Sequence, residues 1–236
     1  MNGSPMGRFW DQRAREEPYF FIDNRRAYGD PDLAAFWAEG EADLDRILGL
    51  LQVGVTPTDE ALDIGCGVGR LTRVLAERAD HATGLDVSQE MLDRAAAHND
   101  HLDNVRWVHG DGVSLVPIAD ASVDAVVSHV VFQHIPDPAI TLGYVREIGR
   151  VLRPGGWAAF QVSNDPAVHR PRRRSLLERV ARAAGRRPGG QDDPAWLGSA
   201  VDLAALRAVA ADAGLALERV VGEGTQFCLV LARRTA

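Results

Sequence analysis

The chain of 236 residues contains no lysine; all 26 of its basic residues are arginine. That absence excludes a P-loop, whose G-x-x-x-x-G-K-[ST] signature needs a lysine to reach the phosphates. Cysteine is nearly absent too. Cys66 and Cys228 are the only two and lie far apart in sequence, so neither a disulfide framework nor a zinc pattern is expected. Such usage suits a reducing compartment, most simply the cytoplasm. No apolar run approaches the length of a membrane span, and Phe227-Cys-Leu-Val-Leu-Ala232 reads as a strand. Met1–Trp10 lacks the apolar core of a signal peptide. A basic excess is missing as well: the net charge of −7 argues against a general nucleic-acid binder. One local patch stands out, at Arg170, Arg172, Arg173 and Arg174. No membrane or nucleic-acid partner is therefore expected.

What is present has the composition of a globular protein, 46% hydrophobic and 25% charged, with length for one α/β domain plus additions. From Asp32 to Val53, Leu33, Phe36, Trp37, Leu44, Ile47, Leu48 and Leu51 recur at three- and four-residue steps, the stripe of an amphipathic helix. Aromatic residues of the segment before it make residues 1–54 an expected helical cap. Residues 55–236 then form the expected core. Apolar strands are expected at Ala61–Ile64, Ala82–Val87, Val105–His109, Ala125–Val131 and Trp157–Val162. Helical candidates lie between them at Arg70–Ala79, Ser88–Asn99 and Pro138–Leu152. Alternation of this kind implies parallel strands with right-handed crossovers and helices on both faces.

The rhythm breaks at 163–199, where prolines and arginines interrupted by a short helix near Leu176–Ala184 suggest a mobile lid. A helix over Val201–Ala213 follows, then strands at Leu215–Val221 and Gln226–Leu231. The short link Gly222–Thr225 makes that last pair an antiparallel hairpin.

The densest signal is Ala61-Leu-Asp-Ile-Gly-Cys-Gly-Val-Gly-Arg-Leu71, a strand running into Gly65, Gly67 and Gly69 before a helix. Glycines there let backbone approach a ligand, at the strand ends where open α/β sheets bind nucleotides. A dinucleotide site expects G-x-G-x-x-G, with a pyrophosphate on the helix N-terminus. Here the third glycine comes one residue early, and Asp63 precedes the first by two. A carboxylate at that point repels a pyrophosphate and suits a cationic ligand, such as one carrying an ammonium and a sulfonium.

The segment Leu62-Asp-Ile-Gly-Cys-Gly-Val-Gly69 resembles the first motif of class I S-adenosylmethionine-dependent methyltransferases. Further segments are similar to the later motifs, in order: Gly84–Ser88, Gly110–Gly112, Val126–Asp137 and Arg150–Gly156. The resemblance implies a Rossmann-like, doubly wound α/β sheet of seven strands with an antiparallel last strand, and S-adenosylmethionine as cofactor. It implies cofactor binding by Asp63, Gly65, Cys66, Gly67, Gly69, Asp86, Val87, Met91, Asp111, Gly112 and Ser128. Among these, Asp86 would accept the ribose hydroxyls and Asp111 the adenine amino group. Met91 would lie under the adenine or face the core, and Cys66 is a small packing residue rather than a nucleophile.

The resemblance further implies methyl transfer to a hydroxyl or amine of a small molecule. Methylation of RNA or protein, or a non-methylating use of the cofactor, are the alternatives. Where the acceptor must lose a proton, His134 and then His129 are the candidate bases, since an unperturbed imidazole titrates near neutrality. A structural role for His134, bonded to Asp137 in its turn, competes with that assignment. Tyr19, Trp37, His169 and Arg170 are candidate substrate contacts, with packing or solvation as the simpler reading of each. No metal site is expected.

Overall fold

The protein is described by a computed structural model covering residues 4–170 and 190–236. The expected helix at Leu176–Ala184 and the arginines at 172–174 lie outside the described residues. Seven strands alternate with helices as the sequence rhythm requires. They are β1 (Glu60–Ile64), β2 (His81–Asp86), β3 (Val105–His109), β4 (Val123–Ser128), β5 (Leu152–Val162), β6 (Leu215–Val221) and β7 (Cys228–Arg234). They make one sheet in the order β3-β2-β1-β4-β5-β7-β6. The first five are parallel, and β7 runs antiparallel to β5 and to β6. The Rossmann-like architecture implied by the sequence is therefore present, including the antiparallel last strand. The chain moves from β1 outward to β3, then returns to β4 on the other side of β1. That reversal opens a crevice at the carboxyl ends of β1 and β4.

Strand alternation divides the core. Leu62, Ile64, Val126, Ala158, Phe160 and Val230 face one helical layer, while Ala61, Ala125, Val127, Ala159, Leu229 and Leu231 face the other. The first layer is built on α6 (Pro138–Val151) and α8 (Leu203–Asp212). The second is built on α3 (Leu33–Leu51) and α4 (Thr72–Ala76). Asp32 caps α3 by accepting from the Ala35 amide at 3.0 Å, and Gln52 ends it in the left-handed region at φ 56°. Leu44, Ile47, Leu48 and Leu51 then pack on the sheet. The expected boundary at residue 54 thus separates no cores, because α3 belongs to the sheet's own layer. Among the described residues of the expected cap, α1 (Pro5–Glu16) and α2 (Pro18–Ile22) stand over the crevice.

Several boundaries differ from expectation. The helix after the glycine loop covers Thr72–Ala76, shorter than Arg70–Ala79. β4 ends at Ser128 rather than Val131, because Val130 adopts φ 58° and turns the chain out of the sheet. Leu152 already pairs with Val123, so Arg153–Gly156 is a bulge within β5. The final strand begins at Cys228 and extends to Arg234. The 163–199 segment is pinned at its base, where the Val201 amide donates to the Ser163 carbonyl at 2.8 Å. A short helix, α7 (Pro194–Leu197), returns it over the crevice.

Candidate active site

The glycine loop forms the floor of a cavity holding about 950 Å³ of empty space, partly open to solvent. Its shape is fixed by the neighbouring strand. The amides of Gly65 and Cys66 both donate to the Leu85 carbonyl, at 2.7 and 3.1 Å. Asp86, at the end of β2, accepts from the Gly67 amide at 2.9 Å and the Ser88 amide at 2.8 Å. Burial raises the Asp86 carboxyl above its ordinary value, opposed by those same amides. Gly67 sits at φ 54°, and a Cβ there would meet Ile22 of α2 at 2.9 Å, so backbone alone lies under the roof.

Gly69 has a different purpose. A Cβ on it would overlap the Trp107 ring at 2.5 Å, and it does not line the cavity. Its glycine serves close packing of loop against sheet.

Asp63 lies beneath the loop, where its Oδ2 accepts from the Thr72 hydroxyl at 2.7 Å. Burial pushes its carboxyl up to about 6, with the Asp86 charge adding to the effect and Arg70 opposing it. Arg70 reaches the same end of the cavity. Its Nη1 donates to Asp43 of α3 at 2.8 Å, while its buried Nε has no hydrogen-bond partner among the described residues. A carboxylate and a guanidinium therefore stand at one end of a glycine-walled cavity. Val87, Met91, Gly112, Met6 and Tyr144 line the other parts. Burial raises the Tyr144 phenol above its ordinary range.

Of the residues assigned to cofactor binding by resemblance, Asp63, Gly65, Cys66, Gly67, Asp86, Val87, Met91 and Gly112 are brought together around this cavity. Gly69, Asp111 and Ser128 are not. Asp111 turns both carboxylate oxygens into its own loop, accepting from the Val113 and Ser114 amides and from the Ser114 hydroxyl. Those bonds hold its carboxyl below the ordinary range even against burial. The Ser128 hydroxyl donates to the Ile64 carbonyl at 3.0 Å, joining the two central strands. Cys66 is buried with a thiol pushed well upward by desolvation, which agrees with packing rather than nucleophilic chemistry.

A second cavity, of about 2180 Å³ including open solvent, adjoins the first and shares Phe21, Ile22, Arg70, His129, Val130 and His134 with it. The two histidines differ sharply here. His134 donates from Nδ1 to the Trp196 carbonyl at 2.7 Å, since a carbonyl only accepts. That leaves Nε2 as the acceptor. Gln161 is fixed by the Val130 amide on Oε1 and donates from Nε2 to Gln133 Oε1 at 2.6 Å and to the Gln226 carbonyl at 2.8 Å. Gln133 must therefore present its amide nitrogen to His134 Nε2, at 3.2 Å. Both ring nitrogens of His134 are taken, and its ring packs on Trp10 and Trp196 with centroids at 5.5 and 5.2 Å.

Burial lowers the imidazole of His134 to about 4, despite the Trp196 bond. This overturns the expected titration near neutrality. It also replaces the expected partner, as Asp137 instead caps α6 by accepting from the Ala139 amide at 2.9 Å. His129 also sits near 4, through burial and the positive charges of Arg70, Arg46 and Arg25, with Asp43 opposing. Its buried Nδ1 has no hydrogen-bond partner among the described residues, and His129 lines both cavities.

Three expected substrate contacts go elsewhere. Tyr19 packs edge-on against Phe36 and bonds His98 at 2.9 Å. Trp37 lies under the Arg73 guanidinium at 4.8 Å. Both belong to a satellite cluster between α3 and α5 (Gln89–His98), and neither lines either of these two cavities. His169 is tied to the Leu197 carbonyl and to Ser163 Oγ, closing the base of the 163–199 segment. Arg170 alone of the four faces the second cavity. The residues that sequence reasoning missed are chiefly Met6, Ile22, Arg70 and Trp196. Arg70 stood within the quoted glycine segment, but nothing in its spacing distinguished it from a solvated arginine.

Comparison with known proteins agrees with this fold. Residues 62–160 match the family described as Methyltransferase domain. A protein of transposon Tn4556 from Streptomyces fradiae is 39% identical over 103 residues, covering 42% of this chain and 29% of its own. A demethylmenaquinone methyltransferase of Staphylococcus aureus is 33% identical over 119 residues, covering 49% of this chain and 48% of its own. The chain thus spans less than half the length of these curated relatives. In fold it is similar to the N-methyltransferase NodS of Bradyrhizobium japonicum, solved with S-adenosylhomocysteine. That likeness has a TM-score of 0.62 and 16% identity, over 99% of this chain and 100% of that one. Among the described residues no helix is long and apolar enough to cross a membrane. Motifs, sheet order and family match converge: the chain carries a methyltransferase domain of the class I, S-adenosylmethionine-dependent kind.

Proposed function

We propose that this protein methylates a small molecule held in the second cavity, using S-adenosylmethionine held in the first. The observation that carries the proposal is the junction of the two cavities. Arg70 and His129 line both, and each has a buried nitrogen without a hydrogen-bond partner among the described residues. Buried polar atoms without partners are costly, so a ligand supplying those partners is favoured at that place.

The residues present fit the cofactor. Asp63 and Arg70 offer opposite charges for an ammonium and a carboxylate at one end. Asp86 stands at the end of β2 with its charge already held by two amides, suited to accept sugar hydroxyls. Met91, Met6 and Tyr144 supply apolar surface for a flat base. When bound, the cofactor supplies a methyl group already activated by a sulfonium. The protein's part is then to align the acceptor and exclude water. α1 does the latter: Asp11 accepts from Ser88 Oγ at 2.7 Å and the Glu90 amide at 3.1 Å, which seats Met6 and Trp10 over the cavity.

His129, rather than His134, is the residue placed to accept a proton from the acceptor, because its Nδ1 is free. His134 holds Trp196 and thereby the return of the 163–199 segment. That the relative from Staphylococcus aureus is named for demethylmenaquinone supports a small-molecule acceptor.

The test is incubation with S-adenosylmethionine and panels of hydroxyl- and amine-bearing small molecules, reading S-adenosylhomocysteine release and a methyl's gain in acceptor mass. Release that needs a small acceptor, and is lost in Gly67→Val, is the expected result. Release with RNA or protein and with no small molecule would overturn the acceptor class.

A further inference from the structure

The second cavity has two chemically distinct ends. Its inner end carries Arg25, Arg46 and Arg70 gathered on one carboxylate, Asp43, at 2.7, 2.7 and 2.8 Å. Asp43 is buried, and Arg25 and Arg70 hold its carboxyl below the ordinary range against desolvation. Asp23, which also lines the cavity, takes a second contact from Arg25 at 2.7 Å. Arg46 keeps 57% of its side chain exposed and has one acidic partner among the described residues. Arg170 also lines this cavity and has no ion-pair partner among the described residues.

The outer end is apolar. The described residues include six exposed large hydrophobic side chains, and three of them line this one cavity: Leu50 at 46%, Val168 at 42% and Phe227 at 58%. They come from α3, the 163–199 segment and the β6–β7 link, three walls of the same opening. Scattered exposed apolar residues are ordinary, but convergence on one concave rim marks a binding surface.

We infer that the methyl acceptor is an amphipathic acid, a molecule with an extended apolar chain or ring system and a negatively charged group. The apolar part lies against Leu50, Val168 and Phe227, and the charged group lies between Arg46 and Arg170. This rests on the proposed function, because the cavity is taken as the acceptor's. It goes further by fixing the acceptor's class. Four guanidinium groups, Arg25, Arg46, Arg70 and Arg170, line the cavity against three carboxylates, Asp23, Asp43 and Asp192, which favours an anion over an amine of equal length, and the apolar rim favours long molecules over short ones.

Titration calorimetry on the full chain, saturated with S-adenosylhomocysteine, tests this with decanoate, propionate, decan-1-ol and decylammonium as probes. Saturable one-to-one decanoate binding is expected, with propionate at least 100-fold weaker and decylammonium at least 10-fold weaker. Leu50→Ser with Phe227→Ser should weaken decanoate at least 10-fold. Arg46→Gln with Arg170→Gln should bring decanoate and decan-1-ol to within about threefold of each other. S-adenosylhomocysteine affinity should stay within about twofold in both double variants, which also shows them to be folded. No decanoate binding to the saturated protein, equal binding of decylammonium, or indifference to both double variants would overturn the inference. Loss of S-adenosylhomocysteine binding by the parent chain would instead strike the proposed function.

Discussion

Replacing Asp63 by asparagine should make the ligand-free protein more stable while destroying its hold on the cofactor. The carboxyl is fully buried and titrates at about 6 rather than at 3.8, the ordinary value. The unfolded chain therefore loses this proton at lower pH than the folded one, and stability falls as pH rises from about 4 to above 6. The gap corresponds to ~3 kcal/mol, at ~1.4 kcal/mol for each tenfold step. Asparagine keeps an oxygen to accept from Thr72 and removes the buried charge. The gain should be about half expressed at pH 5 and complete by about pH 7.5. In a chain of this length it would raise Tm by up to roughly 6–12 °C.

S-adenosylhomocysteine affinity should fall at the same time by about 100-fold, since an amide does not neutralise an ammonium. Differential scanning calorimetry of parent and variant between pH 5 and 8, with titration calorimetry at pH 7.5, measures both. A Tm difference that is the same at pH 5 and pH 8 would refute the buried-charge argument. Unchanged affinity would remove Asp63 from the binding site.

Other substitutions separate the roles of neighbouring groups. Gly67→Val places a side chain against Ile22 at a positive φ, so cofactor affinity should drop at least 30-fold by titration calorimetry, roughly 2 kcal/mol. With S-adenosylmethionine saturating, so that the Asp63 titration acts on binding and not on turnover, turnover of the parent should be flat in pH from about 6 to 8, because His129 and His134 both titrate near 4; a rise centred near 6.5 would contradict that. His129→Ala should lower turnover by about 10²-fold or more with cofactor affinity retained, whereas His134→Phe should chiefly lower Tm. Gln161→Leu strands the Val130 amide and the Gln133 carbonyl oxygen in a buried place, and should cost about 2–4 kcal/mol by urea unfolding.

The parts legible in the sequence are those encoded by local period. Alternation at Ala61–Ile64 and Trp157–Val162 sorted side chains to the two layers, and the glycine spacing marked the floor of the first cavity. Contacts between distant segments were not legible. His134 resembled a free base in its turn, but Trp196, which fixes its tautomer, lies 62 residues away. Tyr19 and Trp37 share helical spacing with true core residues, and periodicity cannot tell a roof from a wall. Asp111 sat in the expected motif, yet its carboxylate is spent on Val113 and Ser114, a local competition that depends on loop conformation.

The double placement of α3 bears on how such a protein changes its substrate over evolutionary time. One side of this helix, through Leu44, Leu48 and Leu51, is committed to the sheet, while Asp43, Arg46, Ile47 and Leu50 border the second cavity. Mutations on that wall risk the fold along with the site, so drift there is slow. The facing walls, around Val168 and Phe227, hang on connecting segments whose replacement leaves the core intact. New acceptor preferences should therefore arise on those walls first, with the arginine-bearing helix as the invariant reference against which they are selected.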